Sequence, residues 1–176
     1  PQIFDAAINR EIKAVWIIGE DVVQTDPNSA HVAKAMNALD LLVVQEIFMS
    51  ETAKHADVVL PGTTFLEKDG TFTNTERRVQ RVNKAAEPLP GTKPDGVIVT
   101  DMMQKLGYDQ KSYDADEVLA EIADVVPFFK GITRERLGKL GLQWPVKEDG
   151  TDTKILHEKE FKLGKGRIKY FDWKES

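Results

Sequence analysis

Hydrophobic positions along the first sixty residues alternate between unbroken runs and helically spaced ones. Ala14-Val15-Trp16-Ile17-Ile18 is a continuous apolar run stopped by Gly19, the pattern of a parallel strand covered on both faces. From Ser29 onward, Val32, Ala35, Met36 and Leu39 fall at helical spacing, and Leu41-Leu42-Val43-Val44 then reads as the next strand. Ser50 is an N-cap candidate for a short helix reaching Ala56, and Asp57-Val58-Val59-Leu60-Pro61 reads as a third strand stopped by proline. Strand, helix and strand in repetition predict an α/β fold with a right-handed, partial doubly wound parallel sheet of three strands. Ahead of it, Ile3, Phe4, Ala7 and Ile8 share one face of a predicted helix over Pro1 to Arg10.

The pattern weakens after Pro61. Asp69-Gly70 predicts a hairpin turn, with Val79 and Val82 in a strand beyond it. Pro88, Pro90, Gly91 and Pro94 make the clearest break in composition, and divide an α/β part over residues 1–90 from a mainly helical segment over 91–176. In that segment Ile98, Met102 and Leu106 before Gly107 predict one helix. Val118, Leu119, Ile122 and Val125 after Asp114 predict a second, and Thr133 to Leu140 before Gly141 a third. The tail is polar and irregular from Lys147, with a short strand expected at Arg167 to Phe171. The start, inside a helical pattern and without an initiator Met, predicts an internal piece of a longer protein.

Charge narrows the partners. Twenty-four Lys and Arg against 29 Asp and Glu give a net charge of −5, which argues against a surface built for nucleic-acid phosphates or an acidic membrane. No apolar run approaches a bilayer span, so the expected location is soluble and cytoplasmic. The chain has no cysteine, so it supplies no thiolate for zinc or an iron-sulfur cluster, and His31, His55 and His157 are too scattered for a helix-borne metal site.

Ligands of such sheets bind at the carboxyl ends of the strands, where three segments end: Gly19 to Asp26, Gln45 to Ser50, and Pro61 to Thr64. Gly19 permits a sharp turn and a close approach of ligand to backbone, while Glu20 and Asp21 offer acceptors to sugar hydroxyls or a base. The plain alternative is a tight turn with solvated acids. Glu46 ends the second strand, where dinucleotide-binding folds place a ribose-binding carboxylate, or where it merely complements a helix N-terminus. Thr73 to Arg78 carries two guanidinium forks that clamp an anion if the hairpin faces the ligand edge, and a solvated charge run if it does not. An ordinary NAD-binding domain is disfavoured, because no G-x-G-x-x-G follows the first strand.

Ile17-Ile18-Gly19-Glu20-Asp21 with Gln24-Thr25-Asp26-Pro27 resembles the nucleotide-binding loop of the large catalytic subunits of molybdopterin oxidoreductases, the dimethyl sulfoxide reductase superfamily. Val43 to Ala53, Ala56 to Pro61, and Glu67 to Gln80 with Asn74 and Glu76-Arg77-Arg78 are similar to that family's following segments, in order and spacing. Gly131 to Pro145, then Ile155-Leu156-His157 and Phe161, resemble formate dehydrogenase alpha subunits specifically; nitrate reductases share the first half. The likeness runs along nearly the whole chain, with Val22 standing where many members carry proline.

The resemblance implies bis-molybdopterin guanine dinucleotide around molybdenum or tungsten, and an iron-sulfur cluster held by parts of the subunit absent here. It implies a cofactor-binding piece, inactive alone, whose partners are the remainder of the catalytic subunit and an electron-transfer subunit. By the same carry-over Gly19, Glu20 and Asp21 line one dinucleotide, Glu46 and Ser50 contact its ribose or guanine end, and Asn74, Arg77 and Arg78 approach from the hairpin. A stand-alone nucleotide- or cofactor-binding module is the rival reading. A piece cut from a larger domain also exposes apolar strand surface, so self-association is expected.

Overall fold

The computed structural model of the chain describes residues 2–147, 149–161, 163–168 and 170. Three apolar runs form β1 (Ala14–Ile18), β2 (Leu41–Glu46) and β3 (Val58–Pro61), a parallel sheet in the order β1-β2-β3. Trp16 stands beside Val43, and Val43 beside Val58. Between the strands run α2 (Val22–Thr25), α3 (Ser29–Ala38) and a 3-10 turn over Ala53–His55, while α1 (Gln2–Ile8) precedes the sheet and packs on α3. Asn28 starts α3 by accepting the His31 N–H at 3.1 Å.

Strand order explains a departure from the sequence pattern. Successive crossovers advancing in one direction lie on one face of a sheet when both are right-handed. On that face Leu42 and Val44 bury with Ala7, Val32, Ala35, Met36 and Ala53, and Val15 and Ile17 pack against them. The opposite face is only partly covered: Ile18, Leu41 and Val58 are 46%, 42% and 43% exposed. The expectation that β1 is covered on both faces is therefore corrected. The predicted helix from Ser50 likewise contracts to the 3-10 turn, which Ser50 begins by accepting the Ala53 N–H at 3.1 Å.

Beyond β3, the chain forms an antiparallel pair, β4 (Gly70–Thr73) and β5 (Arg78–Val82), joined on its other edge by β6 (Leu142–Gln143). The turn falls at residues 74–77 and not at Asp69-Gly70, because Gly70 pairs with Val82 at the open end of the hairpin. The Asn74 side chain makes the turn by accepting the N–H groups of Glu76 and Arg78, and Arg77 takes a φ of 68°. Helices α4 (Asp95–Lys105) and α5 (Ala115–Val125) follow, the latter capped by Asp114 through the N–H groups of Asp116 and Glu117. The third predicted helix is shorter than its pattern: α6 spans Arg134–Leu137 and ends where Gly138 leaves the helical region.

Val79 of the hairpin buries with Leu119, Ile132 and Leu137, against Phe129, Leu142, Trp144 and Val146. Val79 of β5 thus shares a core with the helical segment and not with the parallel sheet. Of the strand expected at Arg167 to Phe171, Lys169 and Phe171 lie outside the described residues, and Ile168 and Tyr170 are exposed and unpaired in any sheet. Among the described residues no helix is long and apolar enough to cross a membrane.

Candidate functional site

At the carboxyl ends of the three strands lies a cleft of about 290 Å³, lined by Gly19, by Gln45, Glu46 and Ile47, by Thr63, Thr64 and Phe65, and by Lys68, Phe72 and Asp95. Backbone bonds across the strand ends close its floor: Gly19 donates to the Gln45 carbonyl at 2.9 Å and Gly62 to the Glu46 carbonyl at 3.0 Å. Gly19 has a φ of +62°, which favours glycine, and open space stands where its Cβ would project.

One side of the cleft is an ordered chain of polar groups. Gln45, 1% exposed, donates through Nε2 to Asp95 Oδ1 at 2.8 Å; Lys68 donates to the other Asp95 oxygen and, at 3.4 Å, to the Thr63 carbonyl. Burial pushes the Asp95 carboxyl up, but the bonds from Lys68 and Gln45 outweigh it and hold the group below the usual carboxylate range. Gln45 Oε1 and Thr63 Oγ1 are buried with no hydrogen-bond partner among the described residues. Thr64 and Glu67 cap each other in the following turn, both Thr64 bonds to Glu67 Oε2 measuring 2.8 Å. This turn sets Phe65 and Lys68 at the cleft.

Of the sequence-predicted residues, Gly19 and Glu46 line the cleft. The Glu46 carboxylate accepts the N–H of Ile47 at 2.7 Å through Oε1, and Oε2 has no partner among the described residues. Glu20 is exposed and accepts the Thr25 hydroxyl at 2.6 Å. Asp21 is turned inward upon the protein: it accepts the Thr52 hydroxyl at 2.6 Å, the Thr52 N–H at 2.9 Å and the Glu51 N–H at 3.2 Å. Thr52 in turn accepts the Val23 N–H, so Asp21 fastens the loop after β1 to the loop after β2. These bonds, the Thr52 hydroxyl foremost, hold its carboxyl below the ordinary value. Ser50 caps its turn, as described above.

The predicted hairpin residues Asn74, Arg77 and Arg78 stand apart from the cleft lining. Asn74 is spent on its own turn. Arg77 lies 5.5 Å over the Trp144 ring and donates to the carbonyls of Trp144, Thr153 and Lys154. Arg78 pairs with Glu76 at 2.7 Å and lies 3.8 Å from Asp152. The Arg77 guanidinium thus binds the segment after β6, while that of Arg78 is bonded mainly within its own turn. The cleft residues absent from the site prediction are Gln45, Ile47, Thr63, Thr64, Phe65, Lys68, Phe72 and Asp95. The first four belong to strand-end segments already singled out; Asp95 lies 50 positions from Gln45 and carries no local signal. Among the described residues no cluster of three His, Asp or Glu side chains is placed to hold a metal ion.

The sequence profile of the molybdopterin oxidoreductase family matches residues 2–105. The chain is 45% identical over 174 residues to the F420-dependent formate dehydrogenase subunit alpha of Methanocaldococcus jannaschii, covering 97% of this chain and 26% of that one. It is 44% identical over 173 residues to the F420-dependent formate dehydrogenase 2 subunit alpha of Methanococcus maripaludis, covering 97% of this chain and 25% of the relative. The chain therefore spans about a quarter of the length of these curated relatives. Among solved structures, acetylene hydratase from Pelobacter acetylenicus superposes with a TM-score of 0.55 over 60% of this chain and 15% of that chain, at 24% identity, a likeness of fold alone.

Proposed function

The chain belongs to the molybdopterin oxidoreductase family, and from that premise we propose that it is a cofactor-binding part of a formate dehydrogenase alpha subunit. The observation that carries the reading is the 45% identity to such a subunit along 97% of the chain. The likeness extends well past residue 105, through the helical segment. The intact protein oxidises formate to CO2 and passes two electrons to a partner subunit, in the cytoplasm. Its bis-molybdopterin guanine dinucleotide group, carrying molybdenum or tungsten, supplies the redox centre when bound, and a 4Fe-4S cluster is ligated by other parts of the subunit.

The residues of the cleft fit the nucleotide end of such a group. Gly19 leaves room for ligand where any side chain would stand, and Glu46 offers an unspent carboxylate oxygen to hydroxyl or N–H donors. The charge of Lys68 is paired with Asp95, so the cleft binds the nucleoside more readily than a phosphate. Glu46 and Gly19 bind and orient; Asp21 acts one step removed, holding the two loops that frame the cleft. The chain contributes positioning and exclusion of water, and no group that takes a proton or hydride from formate.

The test is made on the full-length protein. It should contain molybdenum or tungsten and release guanine nucleotide on acid treatment, and it should reduce a viologen dye with formate. The 176-residue chain alone should do none of this above a metal-free control. A full-length protein that retains guanine nucleotide but ignores formate would remove the substrate assignment, and dye reduction by the isolated chain would remove the division of labour.

A further inference from the structure

Resting on the reading of the cleft as a cofactor site, we propose that Tyr113, which does not line the cleft, is a positioning residue for it: the ring is seated on Gly96 and holds the first turn of α4, and with it Asp95, in place. Gly96 carries the argument. It stands second in α4, on helical backbone, where glycine is unfavourable beside alanine and no left-handed φ requires it. Space requires it instead, because an added Cβ would overlap three carbons of the Tyr113 ring. The neighbouring Asp95 gives one carboxylate oxygen to Gln45 and the other to Lys68, so a shift of this turn moves the polar side of the cleft with it.

Tyr113 is itself held in place. It directly precedes Asp114, the cap of α5, and Val118 stands one turn into that helix, a pairing that fixes the direction in which a chain enters a helix. Both line a second cavity, of about 220 Å³, which shares Lys68, Phe72 and Asp95 with the cleft, so these three side chains form the wall between the two. Asp116 pairs with Arg134 at 2.7 Å and Leu119 buries with Val79, which fastens α5 to the second core. Burial, and then the charges of Asp114, Asp95 and Asp116, push the Tyr113 hydroxyl above its ordinary range, so the ring stays neutral beside Asp95. From the sheet, α4 is anchored by Lys93, whose N–H donates to the Pro61 carbonyl at 3.1 Å. Tyr113 supplies the contact from α5.

The full-length protein, produced with its cofactor, tests this through Tyr113→Ala, Tyr113→Phe and Leu137→Ala, the last a truncation in the second core that lines neither cavity. Two quantities are read: guanine nucleotide released on acid treatment per protein, and deuterium exchange of the Val97 and Ile98 amides, which close the first turn of α4 on the Pro94 carbonyl. Tyr113→Phe keeps the ring carbons and should match the native protein in both. Tyr113→Ala should lower nucleotide content about fivefold and speed the exchange. Adding Gly96→Ala to it should recover part of the loss, since a methyl group then occupies space the ring has left. Leu137→Ala should lower the thermal midpoint at least as far yet keep native nucleotide content. If Tyr113→Ala does not accumulate, Gly96→Ala alone presses on the same contact from the other side and should have the same two effects. Native nucleotide content or native exchange in Tyr113→Ala, or an equal loss of nucleotide in Leu137→Ala, would overturn the positioning role. A native protein without guanine nucleotide would overturn the proposed function, and the exchange comparison would still decide whether Tyr113 seats α4.

Discussion

At the scale of single residues, the structure separates groups that line the cleft from groups that hold the loops around it. Glu20, Asp21 and Glu46 are alike in sequence terms, acids at strand ends, but Glu46 lines the cleft while Asp21 is consumed by Thr52 and Glu51. Which acid did which was not legible, because the deciding partner of Asp21 lies 31 positions away. Loss of three charge-assisted bonds in Asp21→Ala should cost about 1–2 kcal/mol after allowance for a partly exposed loop. Since the folded carboxyl lies below its unfolded value of 3.8, its contribution is present in full above that value and is lost as pH falls through the folded one. Urea titrations of native and Asp21→Ala protein should therefore differ by a constant amount above about pH 5 and converge in stronger acid. A gap that persists undiminished to low pH would assign the loss to packing.

Elements were legible where local periodicity decides them and illegible where distant contacts do. The runs at Ala14 and Leu41 and the helix after Asp114 lie where the pattern puts them, since buried spacing and a capping acid are local properties. The hairpin turn moved from Asp69-Gly70 to residues 74–77 because the Asn74 side chain organises the backbone there, and because β5 must also pair with β6 far along the chain. For the same reason Arg77, a candidate for a cofactor clamp in the sequence, is found bonded to the segment after β6, and Arg78 to Glu76 of its own turn. The contact between β5 and the turn before β6 is tight at Gly141, whose φ is +75° and whose added Cβ would stand 2.3 Å from the Val79 carbonyl oxygen. Gly141→Ala should therefore destabilise this second core by about 2–4 kcal/mol. Loss of Trp144 near-ultraviolet signal at lower urea than in the native chain would report it; an unchanged midpoint would show that β6 is dispensable.

For the whole molecule, the cleft is assembled from two parts of the chain: the ends of β1 and β2 supply Gly19, Gln45 and Glu46, and the segment after β3, β4 and the start of α4 supply Phe65, Lys68, Phe72 and Asp95. The Gln45, Asp95 and Lys68 contacts span from β2 to α4, which ties cleft shape to the arrangement of both parts. The fold class and a cleft at the strand ends follow from alternating runs and turns in the sequence; the composition of the cleft wall does not, since it is assembled from residues as far apart as Gly19 and Asp95. The central claim is that this assembly binds cofactor and performs no chemistry. It is tested most directly by Glu46→Gln in the full-length protein, measuring guanine nucleotide per protein beside the rate of formate oxidation per bound cofactor. The account predicts reduced occupancy, equivalent to roughly 1–3 kcal/mol of lost binding, with an unchanged rate at each occupied site; full occupancy with a slowed rate would contradict it.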